Sequence, residues 1–301
     1  MNEYFFANYR LLTDTGILNH EIVKKQFADF AAPLPYTHTF TWRLGDVDEL
    51  EEKRTWVQGF PVAYEDWFST VYGTDGGWAF VSNHFYERYH AGGAKSVVLC
   101  SRDYGELTFY IADRFFEIER NEHTLHMQLH RSIRAVCMAG MVLRSGLPLH
   151  ASMVEKDGFG VLFLGPSGRG KSTQAKLWEQ YLGADFLIGD SPVMRKIGGK
   201  WIGFGMPWDG PRDAICRQTS VPVRALVWLE KAMENSISPM SPVQAMSAIL
   251  QQVIEPYWDD AAMDGATALM GALVREVPMF RLRCLPDEAT ARLTYETICK
   301  G

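Results

Sequence analysis

Residues 161–173 read Val161-Leu162-Phe163-Leu164-Gly165-Pro166-Ser167-Gly168-Arg169-Gly170-Lys171-Ser172-Thr173. Four apolar residues suited to a buried strand run into a loop with three glycines. Beyond the loop, Ala175, Leu177, Trp178, Tyr181 and Leu182 recur at helical spacing and predict a helix over Lys171 to Leu182. Gly165, Gly168 and Gly170 permit a tight backbone path that turns successive amides inward. The start of the following helix adds the positive end of its dipole. The pattern G-x-x-x-x-G-K-S therefore predicts a cradle for phosphate oxygens from Gly165 to Thr173, which includes Pro166, Ser167 and Arg169. In such a cradle the Lys171 ammonium reaches β- and γ-phosphates, and the Ser172 hydroxyl is placed to ligate Mg²⁺.

Working outward, the same alternation of strands and helices continues. Leu149 to Glu155 and Gly160 to Leu164 predict two strands around the turn pair Asp157-Gly158. Ala184 to Ile188 is an apolar strand that ends at Gly189-Asp190. Val193 to Ile197 and Lys200 to Phe204 flank Gly198-Gly199 as a second hairpin, and Arg224 to Leu229 is a buried strand. Helices are expected over about 242–255 and 258–274, then a strand from Met279 to Cys284 and a last helix capped by Asp287. This half of the chain is α/β with a mixed sheet.

Two side chains flank the loop at similar distances. His150 lies 21 residues before Lys171, and Asp190 lies 19 after it. In open α/β sheets ligands collect beyond the carboxyl ends of the strands, which would bring Asp190 to the phosphates. A carboxylate there can bind Mg²⁺ or take a proton from an attacking hydroxyl. The plainer alternatives are a turn cap for Asp190 and a hydrogen-bonded core position for His150.

The region to about residue 120 is rich in aromatics and reads as short strands: Thr37 to Leu44, Trp78 to Val81, Ser96 to Cys100 and Leu107 to Ile111. Asp103-Tyr104-Gly105 closes a hairpin between the last two. A helix is expected from Glu122 to Leu143, with Leu125, Leu129, Ile133, Val136, Gly140 and Leu143 on one stripe and a stop at Gly146 and Pro148. The division between an N-terminal strand-rich domain (1–120) and a C-terminal domain (121–301) is placed near residue 120. His123, His126 and His130 share one face of that helix, but no carboxylate or cysteine joins them at ligand spacing. They read as a solvated or packed face rather than a metal site.

The bulk composition is that of a folded protein, with 47% hydrophobic and 22% charged residues. A net charge of −6 gives no general attraction for nucleic acid or an acidic membrane surface. The five cysteines (Cys100, Cys137, Cys216, Cys284, Cys299) form no C-x-x-C pair, and the first ten residues lack a signal-peptide pattern. No stretch approaches the roughly 20 apolar residues of a membrane span. The expectation is a cytoplasmic protein with reduced thiols, and the sequence leaves room for a homo-oligomer.

Three stretches together carry a family resemblance: Leu149-His150-Ala151, Gly160-Val161-Leu162 with Gly165 to Ser172, and Leu187-Ile188-Gly189-Asp190. They resemble the HPr kinase/phosphorylase family and, more distantly, ATP-dependent phosphoenolpyruvate carboxykinases. The resemblance covers about residues 145–230. It implies an α/β phosphate-loop domain with a mixed sheet of that type, preceded by a smaller, mostly β N-terminal domain. It further implies ATP and Mg²⁺ as ligands. Lys171 matches the phosphate-binding lysine, Ser172 the Mg²⁺ ligand, Asp190 the acid/base aspartate and His150 the active-site histidine. The chain departs from the family at Thr173, where glutamate is usual, and at Ser191, where a second aspartate is usual. Gly205-Met206-Pro207-Trp208-Asp209-Gly210-Pro211-Arg212 instead resembles the Pro-Trp-x-Gly loop of HPr-kinase-like proteins. In that stretch Asp209 and Arg212 read equally as ordinary loop residues, and Trp208 as packing or as a platform for adenine.

The activity this implies is a kinase that moves a γ-phosphoryl group to a hydroxyl. The resemblance points to serine of a peptide or protein, and a small alcohol is the other candidate. Two rivals stand beside it. One is a nucleotide-binding regulator or ATPase without an acceptor. The other is a carboxykinase-like lyase, which needs arginines such as Arg195, Arg212 and Arg217 to converge on a dicarboxylate.

Overall fold

The structure is a computed structural model that describes residues 1–14, 25, 27–66, 69–82, 95–112, 136–207, 216–253 and 256–300. By internal contacts the chain forms two units of nearly equal length. Met1–Leu143 with Pro256–Ala262 make the first, and Arg144–Glu255 with Met263–Gly301 make the second. The expected division near residue 120, most of the helix from Glu122 and the three histidines on it lie outside the described residues. The described end of that segment, 136–142, is helical and buried. Leu143, expected on the buried stripe, is 38% exposed, because the chain turns away there through Ser145 in a left-handed conformation (φ 62°). Among the described residues no helix is long and apolar enough to cross a membrane. None of the five cysteines is in a disulfide.

The first unit holds an eight-stranded sheet: β1 (Asn2–Phe6), β2 (Tyr9–Thr13), β3 (His38–Leu44), β4 (Val62–Glu65), β5 (Ser69–Thr74), β6 (Gly77–Ser82), β7 (Ser96–Ser101) and β8 (Glu106–Ile111). Their order is β1-β2-β3-β8-β7-β6-β5-β4, with parallel pairing at β2–β3 and β3–β8 and antiparallel pairing elsewhere. Phe40 and Trp42 of β3 are fully buried, as their alternation requires, and a polar helix, Leu50–Val57, precedes β4. The β7–β8 turn holds Tyr104 at φ 59°. Its hydroxyl donates to Asp259 Oδ2 at 2.7 Å and accepts from Trp258 Nε1 at 2.9 Å. Asp259 Oδ1 in turn caps the amides of Ala261 and Ala262, which explains why the short segment Pro256–Ala262 joins this unit.

In the second unit the sheet has nine strands: β9 (Gly146–Pro148), β10 (Ala151–Lys156), β11 (Phe159–Leu164), β12 (Asp185–Ile188), β13 (Val193–Ile197), β14 (Lys200–Phe204), β15 (Ser220–Lys231), β16 (Ser236–Pro239) and β17 (Met279–Cys284). The main path is β12-β10-β11-β15-β14-β13-β9. β15 is long enough to take two partners on one side, pairing with β14 through its first residues and with β17 through its last. β11, β15 and β17 are mutually parallel. β10 is antiparallel to both of its neighbours, β11 and β12. Consequently β11 and β12 run the same way, and their carboxyl ends share one edge of the sheet with the amino end of β10.

β11 is buried on both faces, which is why it reads as an uninterrupted apolar run rather than an alternating one. One face packs Val161 and Phe163 with Val154, Phe186, Val227 and Leu282 under two helices, Lys171–Leu182 and Glu288–Tyr295. Trp178 is the largest side chain in this layer and meets Phe163 edge-on at 5.7 Å. This unit also holds the helix Pro242–Leu250 and, from Met263 on, the helix Asp260–Glu276. The first starts on a full capping box between Ser241 and Gln244.

Candidate active site

The loop after β11 follows the backbone path that its glycines allow. Gly165, Gly168 and Gly170 have φ of 149°, 75° and 100°, all in the region where side chains are disfavoured. Gly170 is the residue before the helix, so that Lys171 opens it. Within the loop Arg169 N donates to Pro166 O at 3.2 Å, and Gln174 N donates to Gly170 O at 2.8 Å. Among the described residues, the amides of Gly168, Gly170, Lys171 and Ser172 have no acceptor. These are the orphan donors of a helix start plus those of a glycine loop, and together they favour an anion.

Lys171 is 8% exposed, and its ammonium donates to Gly165 O at 2.9 Å across the loop. Burial lowers its pKa from the usual lysine value, and the carboxylate of Asp190 acts in the opposite direction. Asp190 follows the carboxyl end of β12, which shares the sheet edge with the carboxyl end of β11. Ser172 and Thr173 are exposed at the first turn of the helix.

Asp190 follows β12, and His150 precedes β10, so the strand directions described above bring the two together. His150 Nε2 lies 3.0 Å from Asp190 Oδ1, with both side chains partly exposed. With the carboxylate ionised, the ring nitrogen carries the proton of this bond. The backbone holds the pair in place: Ala151 N donates to Asp190 O at 3.0 Å, Leu149 N to Pro192 O at 3.1 Å, and His150 N to Gln252 O at 2.7 Å. Ser191, at the position where the family usually has a second aspartate, is fully buried.

Ser152 is a site neighbour that no sequence motif marks. It lies fully buried on β10 and donates to Gly189 O at 2.7 Å, while its oxygen is 3.5 Å from Ser172 Oγ. The sequence signal was a single hydroxyl in an apolar run, Ala151-Ser152-Met153-Val154.

Other candidate residues lie elsewhere. The Arg195 guanidinium is almost buried and donates to Arg144 O at 3.2 Å. Arg217 pairs with Asp185 at 3.5 Å, at the far end of β12 from Asp190. Trp208, Asp209 and Arg212 lie outside the described residues. Among the described residues no group of three or more His, Cys, Asp or Glu could by itself hold a metal ion.

No family model and no curated protein matches the chain. Among solved structures, the HPr(Ser) kinase/phosphatase from Coxiella burnetii is similar to part of it. The match is 16% identical, covers 51% of this chain and 97% of that one, and has a TM-score of 0.32.

Proposed function

We propose that the chain is an ATP- and Mg²⁺-dependent kinase of the HPr-kinase-like kind, which transfers the γ-phosphoryl group to a hydroxyl. The observation that supports this reading most is the shared sheet edge. A loop whose amides have no acceptor among the described residues, with a buried lysine and an exposed serine, lies there with a histidine–aspartate pair. The loop amides and Lys171 hold the phosphates and offset charge on the transferring group. Asp190, oriented by His150, takes the proton of the attacking hydroxyl. That hydroxyl belongs to a serine of a peptide or protein, or to a small alcohol.

The donors fit Mg²⁺. Ser172 and Asp190 offer oxygen ligands, and an ion of this kind takes one or two protein oxygens and fills its remaining positions with phosphate and water. It would neutralise charge shared between the β- and γ-phosphates. Of the arginines that the lyase alternative needs, Arg195 donates to Arg144 O, Arg217 pairs with Asp185, and Arg212 lies outside the described residues.

The test is incubation with γ-labelled ATP and a native extract, followed by identification of the labelled product. The expected result is label on a protein or a small alcohol with the natural chain. With Asp190→Asn the rate should fall about 10²–10⁴-fold while ATP still binds. Label found only in inorganic phosphate would replace the kinase by an ATPase, and full transfer by the mutant would remove Asp190 from the chemistry.

A further inference from the structure

We propose that Ser152 is a positioning residue that sets the direction of the Ser172 hydroxyl, so that the Ser172 oxygen presents a lone pair to Mg²⁺. The inference rests on the nucleotide-binding reading above and concerns the metal-linked part of it. A serine hydroxyl has one proton and can accept two. Gly189 O can only accept, and it lies 2.7 Å from Ser152 Oγ, so the Ser152 proton is committed there. Towards Ser172 Oγ, at 3.5 Å, Ser152 can therefore only accept. The Ser172 proton is drawn to Ser152, and its lone pairs face the other way. The contact is at the long end of a hydrogen bond, and contacts of this type commonly shorten when a site binds its ligand.

The location of Ser152 strengthens the argument. It is 0% exposed, with Ala151, Met153 and Val154 equally buried around it, so it cannot reach a ligand in solvent itself. A buried hydroxyl in such a run is costly unless it is bonded. Its bonds lead to the two parts of the site that must act together. Gly189 adjoins Asp190, and Ser172 opens the loop helix. Through one side chain, β10 fixes the distance between the strand end that carries the carboxylate and the helix that carries the hydroxyl. Groups that orient a metal ligand in this way typically change metal affinity by about 10–100-fold when removed.

The experiment is calorimetric titration of the full chain with ATP, in the presence of Mg²⁺ and again with a chelator. The natural protein, Ser152→Ala and Ser172→Ala are compared. The quantity read is the enhancement of ATP affinity by Mg²⁺. We expect Ser152→Ala to lower that enhancement about tenfold and to leave the affinity measured with chelator unchanged. In the Ser172→Ala background, Ser152→Ala should cause no further loss, since its effect passes through Ser172. Ser152→Cys fills the same space with a poor acceptor and should behave like Ser152→Ala, which guards against a folding defect. An equal loss with and without Mg²⁺ would make Ser152 merely structural, and an unchanged enhancement would overturn its role while leaving the nucleotide site intact. If the natural protein binds no ATP under either condition, the nucleotide reading and this inference fall together.

Discussion

The two ends of β11 carry turns of opposite kinds. At the amino end, Asp157 and Gly158 join β10 to β11 with φ of 54° and 84°, a two-residue hairpin held by two side-chain contacts. Gly158 N donates to Glu155 Oε1 at 2.8 Å, and Tyr295 OH donates to Asp157 Oδ2 at 2.6 Å. At the carboxyl end, the loop from Gly165 uses the same left-handed freedom but, among the described residues, leaves the amides of Gly168, Gly170, Lys171 and Ser172 without acceptors. The first turn closes on itself and serves the fold. The second leaves donors unused among the described residues and, on the function proposed above, serves a ligand. Positive φ alone does not distinguish them; the fate of the amides does.

Substitutions at the two ends should therefore separate stability from binding. The largest effect is expected from Lys171→Ala, which on the proposed function removes a charge-assisted contact to phosphate. ATP affinity should fall about ten- to hundredfold, measured by calorimetry, while thermal stability holds or rises because a buried ammonium is relieved. Next come Gly158→Ala and Gly168→Ala. In both cases a Cβ would meet nothing within 4 Å, so each should cost only the left-handed backbone strain, about 1 kcal/mol. Denaturant unfolding should show similar losses for both, and only Gly168→Ala should weaken ATP binding. Equal effects on binding would break the comparison.

A smaller effect should appear at Asp287, which caps the helix that carries Tyr295 to the hairpin end. Its carboxylate accepts from Thr290 N at 2.8 Å, and this bond, with those from the Thr290 hydroxyl and Asn235, holds its pKa below the usual value. A lowered carboxylate pKa stabilises the fold above the unfolded value, and the contribution is lost as pH falls through the folded one. Asp287→Ala should therefore cost about 1 kcal/mol near neutral pH. The difference from the natural chain should shrink once the pH drops below the carboxylate range, with ATP affinity at neutral pH unchanged.

The second unit was the more legible in sequence because its strands are apolar runs bounded by Gly and Asp pairs. The errors there come from pairing. The helix does stop before Gly146, at Val142, but the pairing of Gly146–Pro148 as the three-residue strand β9 against β13 was not foreseen. The strand expected from Leu149 begins at Ala151, since Leu149 N and His150 N bond to Pro192 and Gln252 instead of a strand neighbour. Pro242–Leu250 ends five residues before the expected limit. In the first unit, β1 and β2 were missed because their hairpin uses Ala7 and Asn8 at φ 48° and 64° instead of glycine. The helix Leu50–Val57 was missed because Glu51, Glu52, Lys53 and Arg54 leave it little apolar face. At the site, Lys171 and Ser172 were visible from local spacing. The proximity of His150 to Asp190 needed the strand order β12-β10-β11, and Ser152 needed the same order plus burial.

Amide hydrogen exchange followed residue by residue, with and without ATP and Mg²⁺, tests the central claim most directly. The account predicts that the amides of Gly168, Gly170, Lys171 and Ser172 slow on addition of nucleotide, while those of Asp157 and Gly158 exchange as before. Nucleotide binding with exchange unchanged across Gly165–Thr173 would contradict it.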